Sequence, residues 1–114
     1  MISFACQRID LYDLVTCSFD LKKKEYELLL LMMKQSSALT IQEIARLLGV
    51  ERSTVQKAMS HLYQKELVAR HQINLPGGGY RFIYEVQDKR AIKKRLLAII
   101  DGWHKGVVDV VNRW

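Results

Sequence analysis

From Asp88 to Trp114 apolar residues return at Ile92, Leu96, Ile99, Trp103, Val107, Val110 and Trp114, at spacings of four, three, four, four, three and four. That is the period of an amphipathic α-helix, and Asp88 is a suitable N-cap. At 1.5 Å per residue the stretch makes a rod about 40 Å long. Leu97, Val108 and Val111 widen the apolar stripe beyond what one small domain can cover. A second surface is therefore expected. Another copy of the chain, packed through Leu96, Ile99, Ile100, Trp103, Val107, Val110 and Trp114, supplies one such surface, and the chain's own N-terminal segment, whose Phe4, Ile9, Leu11, Leu14 and Val15 also need cover, is expected to supply the other. Gly102 and Gly106, four apart, would let two such helices cross closely.

The rest of the chain has one clear break. Its single Pro and three of its six Gly fall together in Leu75-Pro76-Gly77-Gly78-Gly79. Val68 to Asn74 and Tyr80 to Val86 flank that turn with alternating residues and predict a β-hairpin with a mobile, exposed tip. Before it the period is helical. Asp20 can cap a helix in which Tyr26, Leu29, Leu30 and Met33 share a face, ending near Gln35-Ser36-Ser37. Apolar residues on both of its faces make this helix central. Thr40-Ile41-Gln42-Glu43 reads as a capping box, in which the Thr40 hydroxyl and the Glu43 carboxylate satisfy free N–H groups at a helix start. Ile44, Ala45, Leu47 and Leu48 form its buried stripe and Gly49 stops it. After a turn at Gly49-Val50-Glu51, another helix is expected from about Arg52 or Ser53 to Glu66, with Val55, Ala58, Met59, Leu62 and Tyr63 inward.

Length and charge bound the function. A chain of 114 residues allows one domain, here a helical N-terminal segment (1–19), a core (20–86) and the long helix (87–114). The longest apolar run, Leu28 to Met33, is far short of the roughly 20 residues a membrane helix needs. Arg8, Asp10 and Asp13 stand where a signal peptide would be apolar, so a cytoplasmic protein is expected. With 18 Lys and Arg against 12 Asp and Glu the net charge is +6, which suits a polyanionic partner. Lys89, Arg90, Lys93, Lys94 and Arg95 open the long helix where its dipole disfavours positive charge, a cost that a nearby phosphate backbone would offset. Cys6 and Cys17 match no zinc spacing. They are read as structural thiols, with a redox pair as a minor possibility. His61, His71 and His104 are scattered, no Ser or Cys sits in a nucleophile motif, and no cofactor or metal is expected. Three glycines without a following Lys-Ser/Thr or helix start do not make a phosphate-binding loop.

Helix, helix, tight turn, helix and a hairpin with a glycine tip is the order of a winged helix-turn-helix, mainly α with a small β wing. Residue by residue, Thr40, Glu43-Ile44-Ala45, Leu47-Leu48-Gly49-Val50, Ser53-Thr54-Val55, Lys57 and Leu62 resemble the helix-turn-helix of the MarR and TrmB groups of winged-helix transcription regulators. In that pattern Ala45 lets the two helices approach, Gly49 makes the turn, and Val50 and Val55 plug the core between them. The stretch Leu62 to Val68 and the wing after it are similar too. MarR proteins usually have more helical material at both ends, and TrmB proteins carry a separate sugar-binding domain after the winged helix. Neither appendage is expected from these 114 residues, which are similar to small single-domain regulators of archaeal type. The resemblance implies binding to double-stranded DNA and transfers no effector; with the second copy expected at the long helix the reading is a homodimer, and a small apolar molecule bound between the N-terminal and C-terminal helices would regulate it by changing the spacing of the two heads.

The candidate DNA contacts follow from that frame. Arg52, Ser53, Thr54, Gln56, Lys57, Ser60 and His61 are not needed for the core and can all donate hydrogen bonds. Ser53 and Thr54 suit a phosphate, Gln56 an adenine edge, and Arg52 or Lys57 a guanine edge. Thr40 joins them at the start of the preceding helix. On the wing, Arg70, His71, Asn74 and Arg81 flank Gly77, Gly78 and Gly79, which could lie along the minor groove. A solvated helix face with Ser53 as N-cap, and an ordinary surface hairpin, carry the same residue types. Tyr80, Phe82 and Tyr84 read as core more than as base-stacking platforms. The competing function is a winged-helix assembly module without specific DNA binding, which would not need the donor-rich face from Arg52 to His61.

Overall fold

The computed structural model describes residues 1–35 and 37–114. In chain order the elements are β1 (Ile2–Ser3), β2 (Arg8–Ile9), α1 (Leu11–Phe19), α2 (Lys23–Lys34), α3 (Ile41–Leu48), α4 (Arg52–Gln64), β3 (Val68–Asn74), β4 (Tyr80–Val86) and α5 (Lys89–Arg113). They form two compact units, one of Lys23–Gln87 and one of Met1–Lys22 with Asp88–Trp114. The expected architecture, mainly helical with a small β wing, is what the chain adopts.

In the unit of Lys23–Gln87, Leu28, Leu29 and Met32 of α2, Ile44 of α3, Val55, Met59 and Leu62 of α4, and Leu67 and Val68 are almost wholly buried. Each such side chain contributes roughly 1.5–3 kcal/mol relative to leaving it in water. The face of α2 that enters this core is Glu25, Leu28, Leu29 and Met32, rotated by about 100° from the expected Tyr26, Leu29, Leu30 and Met33. Leu30 is exposed. With six apolar residues in a row, period alone cannot choose the face. The helix ends at Lys34; of the expected Gln35-Ser36-Ser37 terminus, Ser36 lies outside the described residues.

The expected capping box opens α3. The Thr40 hydroxyl accepts from the Glu43 N–H at 3.1 Å, and the Glu43 carboxylate accepts from the Thr40 N–H at 3.1 Å and its hydroxyl at 3.0 Å. Gly49 closes the helix in the left-handed conformation, φ 66°. The stripe is narrower than expected, because Ile44 and Ala45 are buried whereas Leu47, Leu48 and Val50 are exposed. Eight residues make barely two turns, and one inward face of that length holds only two or three side chains. Val55 plugs the core; Val50 does not.

Asp20 corrects the expected start of α2. It lies at the end of α1 in the left-handed region, φ 56°. The Leu21 N–H then reaches back to the Thr16 carbonyl, and Leu21 is buried. Glu66, φ 59°, repeats the arrangement after α4, with the Leu67 N–H bonded to the Leu62 carbonyl and Leu67 fully buried. Helix α4 therefore stops at Gln64 and the chain is redirected into β3. A non-glycine residue costs roughly 1–2 kcal/mol in this conformation. The orphan carbonyl satisfied and the Leu buried behind it offset that cost.

β3 and β4 pair antiparallel from Val68 opposite Val86 to Asn74 opposite Tyr80. Leu39 adds a short third rung, exchanging two backbone bonds with Tyr84 at 2.8 and 2.7 Å. At the tip, Gly78 and Gly79 have φ of 95° and 77°, which only glycine adopts freely. Leu75 and Gly79 close the loop through an N–H to carbonyl bond of 3.0 Å.

In the other unit, β1 and β2 form a two-residue hairpin ahead of α1, where a purely helical segment was expected. Asp10 and Asp13 build a capping box at the start of α1. α1 packs on α5, with the Arg95 guanidinium 5.2 Å from the Phe19 ring centre. The Asp88 carboxylate caps α5 by accepting from the Arg90 N–H. Ile92 is buried, but every residue from Asp101 onward is exposed, Trp103 at 61% and Val110 at 66% among them.

Candidate nucleic-acid interface

Helix α4 divides cleanly. At 100° per residue, Val55, Ala58, Met59 and Leu62 share one side, and Arg52, Ser53, Gln56, Lys57 and Ser60 fall within an arc of about 140° on the other. The first set is buried and the second exposed. Thr54 and His61 lie on the shoulder between them and are half-buried. His61 turns toward α2, with Nδ1 2.7 Å from the Glu25 carboxylate. Five of the seven expected donors on this helix thus share an open face, and His61 is held by the protein itself.

The N-terminus of α4 is capped by Glu51 without a side-chain hydrogen bond. The Thr54 and Val55 N–H groups bond the Glu51 carbonyl at 3.1 and 3.2 Å, so the open donors are those ahead of them. Arg52 stands at this end, which suits an anion. Thr40 lies at the start of α3, half-buried, with its hydroxyl engaged in the capping box. Around it the Glu43 carboxyl is held below its usual pKa, first by the Thr40 N–H and hydroxyl and then by the charges of Arg81 and Arg46.

On the wing, residues alternate between two faces. Val68, Arg70, Gln72 and Asn74 lie with Val86, Tyr84, Phe82 and Tyr80; His71 and Ile73 lie on the opposite face with Ile83 and Arg81. The Arg70 guanidinium sits 4.5 Å from the ring centre of Tyr63 and 4.4 Å from that of Phe82. Tyr63, expected inside, is exposed and serves as one wall of that stack. His71 Nε2 is 2.8 Å from the Glu85 carboxylate. Gln72 donates to Asn74 at 3.3 Å. Arg81 and the tip glycines Gly77, Gly78 and Gly79 are exposed. The aromatic residues of β4 grade outward: Tyr84 is buried, Phe82 half-buried and Tyr80 exposed.

The structure therefore brings Arg52, Ser53, Gln56, Lys57 and Ser60 onto one surface, and places Asn74, Arg81 and the glycines at the outer end of the wing. The Glu25–His61 pair and the Tyr63–Arg70–Phe82 stack escaped sequence reasoning, because each joins elements far apart in the chain and neither leaves a local spacing to read. Among the described residues no three His, Cys, Asp or Glu side chains gather as metal ligands, and no helix is long and apolar enough to cross a membrane.

Comparison with known proteins adds a family. Residues 16–90 match the family described as sugar-specific transcriptional regulator TrmB. An uncharacterized protein of Methanocaldococcus jannaschii is 31% identical over 90 residues, covering 79% of this chain and 67% of its own. Among solved structures, a possible transcriptional regulator from Methanosarcina mazei Go1 is similar with a TM-score of 0.91 at 28% identity, over 100% of this chain and 96% of its own. A mutant of S. aureus MepR bound to an oligodeoxyribonucleotide shares the fold at a TM-score of 0.54 and 17% identity, over 86% of this chain and 75% of its own. Since the family match spans α2, α3, α4 and the whole wing, the chain belongs to the TrmB family of transcriptional regulators.

Proposed function

We propose that the protein is a homodimeric transcription regulator that binds duplex DNA in a sequence-specific way, with α4 in the major groove and the glycine tip of the wing beside it. The observation that carries this reading is the division of α4, whose apolar side is locked in the core while Arg52, Ser53, Gln56, Lys57 and Ser60 project together. A helix held rigidly by its inner face can present those donors to base edges and phosphates without ordering them first. MepR, of the same fold, is seen on an oligodeoxyribonucleotide, and the net charge of +6 favours a polyanion. Arg81, Asn74 and Gly77 to Gly79 would serve the wing contacts. A dimer is supported by α5, where Ile99, Trp103, Val107, Val110 and Trp114 are exposed and Leu96 and Ile100 only partly covered. Two-fold pairing along that helix would hold two α4 helices on one pseudo-palindromic site.

The test is titration against a fluorescent duplex from the protein's own promoter region and against a random duplex, at two salt concentrations, with molar mass from light scattering. A dimer that prefers the promoter duplex and weakens steeply with salt is expected. Arg52→Ala and Lys57→Ala should each cost about 1–3 kcal/mol of binding without altering the dimer. A folded dimer with no preference for any duplex would instead point to a protein-assembly module, and unchanged affinity in both variants would remove α4 from the interface.

A further inference from the structure

The wing is supported unevenly. At its base Val68 and Tyr84 are buried, and Leu39 pairs with the Tyr84 backbone. From that rung outward the hairpin runs on as two strands, through Ile73 opposite Arg81 and Asn74 opposite Tyr80. Two strands alone are marginally stable in water. On the anchored rung itself stands Arg70, whose cross-strand partner is Tyr84 and whose diagonal neighbour, one layer further out, is Phe82. Its guanidinium lies over two aromatic rings, Tyr63 in the last turn of α4 and Phe82 on β4. Phe82 in turn meets Tyr80 edge to face, with ring centres 5.4 Å apart. A continuous stack therefore leads from the C-terminal turn of α4 to the outer half of the wing.

We infer that Arg70 is a positioning residue of the DNA-binding surface: clamped against Tyr63 of α4 and Phe82 of β4, its guanidinium sets the angle at which the wing leaves the recognition helix. The inference rests on the DNA-binding reading above and assigns Arg70 a different task from the phosphate contact that its charge suggests. Its planar group stacks on two rings at once, which a lysine ammonium cannot do. It also lies four residues before Asn74, the last residue of β3, about 13 Å along the strand, and so well back from the tip. Arg81 and Asn74 stand nearer the tip for phosphate contact. A wing free to swing would meet the groove at many angles and lose the entropy of ordering on binding; a clamped wing has lost it beforehand.

Two measurements on the full chain separate the roles. The first needs no DNA: amide hydrogen exchange in the wild type, Arg70→Ala, Arg70→Lys, Tyr63→Ala and the Tyr63→Ala/Arg70→Ala double variant. Exposed cation–π contacts of this kind shift a local opening equilibrium by a few-fold each, so exchange at residues 71–74 and 80–83 should quicken about tenfold in Arg70→Ala. Arg70→Lys should behave like Arg70→Ala, Tyr63→Ala should show the smaller effect of losing one ring, the double variant should be no faster than Arg70→Ala, and protection in α2 and α3 should stay unchanged. The second is DNA affinity against salt. A positioning role weakens binding in Arg70→Ala and Tyr63→Ala at an unchanged salt slope, whereas a phosphate contact lowers the slope by about one and is restored by Lys. Wild-type exchange in the wing of Arg70→Ala, or a lowered slope rescued by Arg70→Lys, overturns the inference. Absence of DNA binding by the wild type would overturn the functional reading and leave the exchange experiment to decide the clamp.

Discussion

Glu43 closes the first turn of α3 and titrates within it. Its carboxylate accepts two hydrogen bonds from Thr40, and these, with Arg81 and Arg46 behind them, lower its pKa against a smaller opposing effect of burial. A carboxyl that is more acidic folded than unfolded contributes stability above the unfolded value, about 4.3 for Glu, and loses it as pH falls through the lower folded value. Urea unfolding of wild type and Glu43→Gln should therefore show a wild-type advantage at neutral pH that fades on acidification through that window; an advantage independent of pH would dismiss the capping charge. Thr40→Ala, which removes the acceptor for the Glu43 N–H, should cost about 1 kcal/mol. The capping box is legible because its two partners stand three residues apart. His61 is the opposite case: its position on α4 permits either solvent or protein, and only the fold brings Glu25 of α2 within 2.7 Å of it.

Among the elements, α4 and α5 show how far periodicity reaches. In α4 the inner and outer faces follow from spacing, and the residues that spacing does not assign, Thr54, His61 and Tyr63, flank the buried side, where a neighbour decides their exposure. In α2 the unbroken run Leu28 to Met33 gives no preferred direction, and packing alone selected the buried face. In α5, Gly102 and Gly106 sit inside a regular helix where an added Cβ would meet nothing within 4 Å in this chain. Glycine there costs the helix about 1 kcal/mol relative to alanine, with no return inside the monomer. Gly102→Ala/Gly106→Ala should thus be more helical when dilute, yet dissociate at higher concentration than wild type if the glycines let partner helices approach. Analytical ultracentrifugation and circular dichroism over a dilution series check both halves; a variant with undiminished association would exclude close crossing at this point.

For the molecule as a whole, α5 concentrates the unmet apolar surface. Leu97, Trp103, Val108, Val110, Val111 and Trp114 are all at least 43% exposed, and several such side chains on one rod form the kind of patch that marks an interaction site. Trp103→Glu puts a charge in the middle of this stripe and should yield a folded monomer by light scattering, with DNA affinity falling because one head binds without the other. A dimer that survives the substitution would place the contact elsewhere, for example on Met1, Ile2, Phe4, Leu11 and Tyr12, which are also exposed in the same unit.

Local chemistry is enough to specify the capping box at Thr40, the glycine stop at Gly49, the hairpin with its left-handed tip, the long terminal helix and the donor-rich face of α4. Each depends on hydrogen bonds or periodicities that close within a few residues, so their signals lie side by side in the chain. Other features depend on contacts between elements. The buried face of α2, the inward turn of His61, the exposure of Leu47, Leu48 and Val50, and the clamped Arg70 are settled by which surfaces meet. So are the left-handed Asp20 and Glu66: neither is glycine, and their conformation is sustained by Leu21 and Leu67, each buried one residue later. The roughly 1–2 kcal/mol that such a left-handed residue costs is offset by the roughly 1.5–3 kcal/mol of the leucine buried behind it, and at both positions the tertiary burial won.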